Sequence, residues 1–254
     1  MNGNIGDGAG YFVRGLKLLR HPRLRPFVLI PLLINIIIFS TLIYATVQYV
    51  DGLMGGLLTA IPDWLSWLTW LIWPLIGISL ALATGFLFTA VAILIASPFN
   101  GLLAEKAEEL ITGNPVQGPE TIAQAFMILP RAIGRELIKF AYYLPLLLVV
   151  LILSWIPPFS VVAPLLWFVF GAWMMAVQYV DYPMDNHMTD FADLKEVLRE
   201  RRLSSLGFGG LVALVSGIPI LNFFVVPAAV CGATLFWCEE LSREYARPGA
   251  YPAR

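Results

Sequence analysis

The stretch HPRLRPFVLIPLLINIIIFSTLIYATVQYV, residues 21–50, decides how this chain folds. Arg23 and Arg25 crowd its start, and no charged residue occurs from Pro26 to Val50. Those twenty-five residues make about 37 Å of helix, enough to cross the ~30 Å hydrocarbon core of a bilayer. Pro26 and Pro31 lie near the start, where a missing backbone N–H costs least. Arg23 and Arg25 therefore stand beside the amide-rich, positive end of a helix dipole. Such a place suits either a compact oxyanion or the phosphate of a lipid. The apolar run is much longer than the roughly 7–15 residues of a signal-peptide core, and no small-residue cleavage site follows it. It reads as a retained span.

Composition agrees. The chain has 254 residues, 59% of them hydrophobic and only 13% charged, with a mean hydropathy of +0.78. Soluble domains carry about 25% charge, so an all-α integral membrane protein is expected. A second uncharged run, residues 64–97, is long enough to tilt, to kink at Pro74 or to project beyond the bilayer. Trp64, Trp67, Trp70 and Trp73 recur at its start, as in an interfacial aromatic belt or a lipid-facing stripe. Residues 1–13 are glycine-rich and read as loose or surface-lying. Tyr11 to Arg20 sets Phe12, Leu16 and Leu19 opposite Arg14 and Lys17, a short interfacial helix.

Two apolar hairpins follow, at 140–180 and 207–237, with uncharged tips at Ile156-Pro157-Pro158-Phe159 and Pro219-Ile220-Leu221-Asn222. The run 207–218 is too short to span a bilayer as helix, so the second hairpin reads as re-entrant. The first is open to full crossing or partial insertion. SWIPPFSVVAP and SGIPILNFFVVP resemble each other, which suggests an internal repeat. Segments 98–139 and 181–206 are amphipathic; LLAEKAEELI forms a helix stopping at Gly113-Asn114-Pro115, and Pro119-Glu120 opens another. All sixteen Lys and Arg residues fall in 1–25, 98–139, 181–206 and 239–254. Two crossings (26–50 and 64–97), joined by a small acidic loop at 51–63 on the outside, followed by two hairpins put every one on a single side, the cytoplasm by the positive-inside rule, with both termini there. The chain reads as a single polytopic membrane domain.

Signatures of chemistry are sparse. His21 and His187, the two histidines, sit at membrane borders, and no H-E-x-x-H, nucleophile elbow, P-loop or cysteine cluster is present. Cys231 and Cys238 suggest neither a disulfide nor a metal site. No catalysis, cofactor or nucleic-acid partner is expected. The partners to consider are an anion, the lipid bilayer and further copies of the chain. Asn35, inside the first span, is either a helix–helix hydrogen-bonding group or a path-lining one. Glu105, Glu108 and Glu109 with Lys106 form either a solvated helix face or the wall of a cytoplasmic vestibule.

PRLRPFVLIPLLIN (22–35), SPFNGLLAEKAEE (97–109), DYPMDNH (181–187) and NFFVVPAAVCGATLFW (222–237) together resemble the CysZ family of bacterial inner-membrane sulfate permeases. The resemblance implies sulfate uptake into the cytoplasm for cysteine synthesis. It also implies homo-oligomers, dimeric or larger, with partly inserted hairpins. The family's Gly-Leu-Arg sulfate motif maps onto Arg23-Leu24-Arg25. Leu24 and Arg25 match, Arg23 replaces the glycine, and Pro26 stands where some relatives have a second arginine. Arg25 would hold the dianion with the Leu24 and Phe27 amides, with Arg23 as a further contact. Asn35, Asn100 and Glu105 are candidates for the path. The rival readings are a non-transporting membrane scaffold and a channel for another oxyanion.

Overall fold

The computed structural model describes residues 3–60, 67, 69–116 and 129–245, and every regular element among them is helical. Trp64, residues 61–63 of the acidic loop and the helix start at Pro119-Glu120 lie outside the described residues. The helices are α1 (Ile5–Leu18), α2 (Arg25–Ala60), α3 (Thr69–Thr112), α4 (Leu129–Trp155), α5 (Ala163–Asn186), α6 (Phe191–Glu200), α7 (Arg202–Ser216) and α8 (Pro219–Phe236). A π-helical segment, Trp237–Leu241, extends α8. Among the described residues, four stretches are long and apolar enough to cross a membrane: Arg25–Val50, Pro130–Trp155, Ala163–Asn186 and Phe224–Leu241. The all-α membrane fold expected from the sequence is the fold observed.

The chain divides into two compact units. One is Leu29–Ala96, built from most of α2 and the apolar part of α3. The Phe39 and Phe88 rings pack at 4.6 Å between centres with their planes tilted by 54°, and the Thr46 and Thr84 hydroxyls share a hydrogen bond of 2.9 Å. Those two pairings set the helices antiparallel. Leu33, Leu82 and Phe86 point outward, as lipid-facing residues must. α2 continues to Ala60, where the sequence reading has a loop from residue 51. The helix passes Gly52, Gly55 and Gly56, each costing about 1 kcal/mol relative to alanine, and keeps its ladder of hydrogen bonds continuous. α3 likewise runs unbroken from Thr69 through LLAEKAEELI to Thr112, so the apolar run and the amphipathic helix after it are one element.

The other unit holds Met1–Val28 and Ser97–Arg254. Here the amino-terminal region departs from the sequence reading. Residues 5–18 form a helix capped by Asn4, whose Oδ1 accepts from Gly6 N–H at 2.9 Å. α1 packs along α7 and α8 and buries Tyr11 and Phe12. Its glycines make that possible. A Cβ at Gly15 would press on the backbone of Ala228 and Gly232, and one at Gly8 on the backbone of Ser204. The same small residues that look loose in sequence permit close helix contact. Arg14 then pairs with Glu239, and the Tyr11 hydroxyl donates to Glu240 at 3.3 Å. Leu16 stays exposed, so only part of the expected apolar stripe is used.

Both hairpin tips use one device. Ile156 and Ile218 are extended (φ −85°, ψ 119° and φ −100°, ψ 107°), and each precedes a proline at a first helical position: Pro157 begins a short helix, Pro157–Ser160, ahead of α5, and Pro219 begins α8. A residue before proline is pushed out of the helical region, while proline itself suits a first helical position. The two S-x-I-P strings therefore end one helix and begin another in the same way. α7 has 15 residues, about 22 Å, still short of a ~30 Å hydrocarbon core.

Candidate functional site

The candidate anion site lies in the turn between α1 and α2. Leu24 is fully buried, and Phe27 packs against the same core. Between and beside these anchors, Arg23 and Arg25 are exposed. The Arg25 guanidinium donates to Arg20 O at 3.0 Å, which steadies it while leaving other N–H groups outward. The amides expected to serve an anion are already used. Leu24 N–H donates to His21 O at 3.1 Å, and Phe27 N–H to Leu24 O at 3.2 Å. Arg23 N–H faces His21 Nδ1 at 3.3 Å. Leu24 and Phe27 thus position the two arginines by packing, and the guanidinium groups are what face outward.

The expected path residues are dispersed. Asn35 belongs to the hairpin unit; its Oδ1 is buried with no hydrogen-bond partner among the described residues. Asn100 donates to the Tyr182 hydroxyl at 3.3 Å. Glu105 is only 2% exposed and meets Lys106 at 2.8 Å. Burial pushes its carboxyl above the ordinary range, with Lys106 pulling the other way. Glu108, at 6%, is buried as well, so these two carboxylates are not a solvated face. No hydrogen bond or ion pair joins Arg25 to Asn100 or Glu105 among the described residues.

Asn100 leads instead into a ladder of charges between α4 and α5. Arg131, Arg135 and Lys139 recur every four residues on α4, one face of a helix. Asp181 and Asp185 recur at the same interval on α5 and meet them. Arg131 bonds Asp185 at 2.9 Å, and Arg135 bonds Asp181 at 2.8 Å. Lys139, 1% exposed, reaches Asp181 at 3.2 Å and Glu136 at 2.7 Å, with the Tyr182 ring 5.3 Å below it. Gln178 donates to Tyr182 at 3.3 Å, and Tyr143 donates to Gln178 at 3.4 Å. One guanidinium nitrogen of Arg135, Nη2, is buried without a hydrogen-bond partner among the described residues, and the guanidinium lies 5.6 Å from the centre of the Phe191 ring. Ionisable groups inside apolar helices are costly, and they mark functional paths more often than they add stability.

The family model for sulfate transporter CysZ/etoposide-induced protein 2.4 matches residues 11–227. The sulfate transporter CysZ of Pseudomonas aeruginosa is 44% identical over 234 residues, 92% of this chain and 95% of that protein. The chain belongs to the CysZ family. The sulfate transporters CysZ of Pseudomonas paraeruginosa, 45% identical over 234 residues, and Pseudomonas fluorescens, 44% identical over 238 residues, match over similar shares.

In this member of the CysZ family, two groups of basic side chains bear on an anion. One is the exposed arginine turn, legible as a motif. The other is the α4–α5 ladder, which the sequence reading passed over because its basic residues were used only to orient the chain. The signal was present. Four-residue spacing of charge within otherwise apolar helices, PRAIGRELIKF and QYVDYPMD, marks faces that must meet partners.

Proposed function

We propose that this chain carries sulfate across the bacterial inner membrane into the cytoplasm, where it supplies cysteine synthesis. The observation that carries the reading is identity of 44% across nearly the whole chain with proteins named sulfate transporter CysZ. Arg25, with Arg23 beside it, receives the dianion at the border of the membrane. Leu24 and Phe27 hold the turn. Two exposed guanidinium groups on one turn suit a tetrahedral oxyanion, and partial solvation keeps the complex weak enough to release. Asn100 opens onto the α4–α5 ladder, where Arg135 and Lys139 offer the next positive groups; Asn35 and Glu105 are further path residues. The protein works as a homo-oligomer in the lipid bilayer with both termini cytoplasmic, as the one-sided placement of Lys and Arg supports. No catalytic step is needed.

The test is uptake and binding of radiolabelled sulfate by the purified protein in liposomes, with Arg25→Ala beside the parent. Loss of a charge-assisted contact predicts binding weakened about tenfold or more in a folded variant. Unchanged binding would move the anion site elsewhere. Absence of uptake by the parent would favour a scaffold, and uptake of another oxyanion in place of sulfate would favour a different channel.

A further inference from the structure

The ladder between α4 and α5 runs from an exposed end into the core. Side-chain exposure falls from 40% at Arg131 to 11% at Arg135 and 1% at Lys139, in steps of about 6 Å along the helix. At the inner end one carboxylate serves two cations. Asp181 Oδ1 accepts from Arg135 Nε at 2.8 Å, and its Oδ2 faces Lys139 Nζ at 3.2 Å. Asp181 is itself buried. An anionic group held between a guanidinium and an ammonium, out of water, is the arrangement a bound oxyanion takes. Here the chain supplies the anion itself.

Donors nevertheless outnumber acceptors around Asp181. Arg135 Nη2 is buried with no hydrogen-bond partner among the described residues, its guanidinium lying against the Phe191 ring. The Tyr182 hydroxyl accepts from Asn100 and from Gln178, each at 3.3 Å, and gives its own proton to no acceptor among the described residues. Its ring centre lies 5.3 Å from Lys139 Nζ. Both Asp181 oxygens are already engaged. Glu136, the other carboxylate beside Lys139, is partly exposed and can turn to water. A buried donor without an acceptor costs free energy that a further acceptor recovers. Sulfate brings four oxygens and two charges where Asp181 brings two oxygens and one.

We propose that Arg135, Lys139 and Tyr182 form an inner anion site that Asp181 keeps filled, and that the transported dianion passes by displacing the Asp181 carboxylate. The site rests on the chain carrying sulfate, as proposed above, and adds to it the residue that gates the path. A monoanion offers the two cations no more than Asp181 already does, and a tethered carboxylate has the advantage of effective concentration. A dianion satisfies both cations and the idle donors at once. Asp181 therefore sets a preference for doubly charged oxyanions. Its return to the two cations expels the ion, which keeps binding weak enough for release.

Binding and uptake of radiolabelled sulfate by the full-length protein in liposomes test it, with Asp181→Asn and Glu136→Gln beside the parent. Each variant removes one negative charge and keeps the shape of the side chain. Asp181→Asn should bind sulfate about tenfold tighter, with KM and maximal rate of uptake both lowered, because nothing expels the ion. Unlabelled nitrate, a monoanion, should compete with sulfate more strongly in this variant than in the parent. Glu136→Gln should shift affinity and KM the same way by a smaller factor. Its side chain is partly exposed, so it keeps the test valid if Asp181→Asn does not fold. Uptake by the parent, with affinity, KM and nitrate competition unchanged in the folded variants, would overturn the gate alone. A parent that neither binds nor transports sulfate would overturn both the gate and the sulfate reading.

Discussion

The hairpin Leu29–Ala96 and the unit formed by Met1–Val28 with Ser97–Arg254 solve the same problem differently. The hairpin turns apolar side chains outward and holds its two helices with rings and a single described hydroxyl pair. The larger unit buries Glu105, Glu108, Lys139 and Asp181 within a core of alanine, valine, phenylalanine and close-packed glycine. In a bilayer, lipid already satisfies apolar surface, so helix association depends on close packing and polar contacts. The hairpin uses the minimum of both. The larger unit concentrates charge, which costs stability and therefore points to function.

The comparison breaks most sharply at Lys139. Lys139→Met leaves Asp181 only Arg135 and strips Glu136 of its close cation. A loss of about 3–5 kcal/mol is expected for breaking a buried pair, read as a large drop in Tm or failure to purify folded protein. A Tm unchanged from the parent would mean that the ladder is solvated and not a buried network.

Gly15 tests close packing in the same unit. Gly15→Val places a branched side chain against the backbone of Ala228 and Gly232, and a loss of about 1–3 kcal/mol is expected from overpacking. Unfolding of the purified variant checks it; an effect near zero would show that α1 shifts freely. The hairpin should be more tolerant. Thr46→Val removes the hydroxyl pair with Thr84, and about 0.6 kcal/mol is expected, the mean for such bonds inside membranes. A loss as large as that at Lys139 would erase the contrast between the units.

The smallest expected effect concerns pH. The hydrogen bond to Glu108 holds the His187 imidazolium pKa above its ordinary 6.5. The pair's stabilisation is therefore full below pH 6.5 and is lost as pH rises through the elevated folded value. His187 is half-exposed, so water screens the gain. Tm measured between pH 6 and pH 9 should fall more for the parent than for His187→Gln. Parallel curves would assign the pH response to other groups.

Several elements were legible without coordinates. Uncharged length marks a span regardless of its neighbours, so 26–50 reads correctly as apolar helix, and the Ile-Pro strings read as hairpin tips because proline acts locally. The Arg23–Arg25 turn is also visible, since a basic pair before a proline-opened apolar run needs no tertiary context. Whether its amides are free was not. Whether an amide is free depends on where the turn sends it, and here His21 O and Leu24 O accept the Leu24 and Phe27 protons.

The amino-terminal glycines show the limit most clearly. Composition alone makes residues 1–13 look loose, because glycine lowers helix propensity; contact with α7 and α8 reverses the sign by rewarding the absence of a Cβ. The sequence by itself determined the membrane class, the apolar runs, the one-sided distribution of charge and the exposed arginine motif, all of them properties of local composition. Tertiary structure decided which charges are buried, which meet across α4 and α5, and where the ends of α3 and α5 converge. Those depend on pairing residues as far apart as Glu108 and His187, and no local pattern specifies which faces come together.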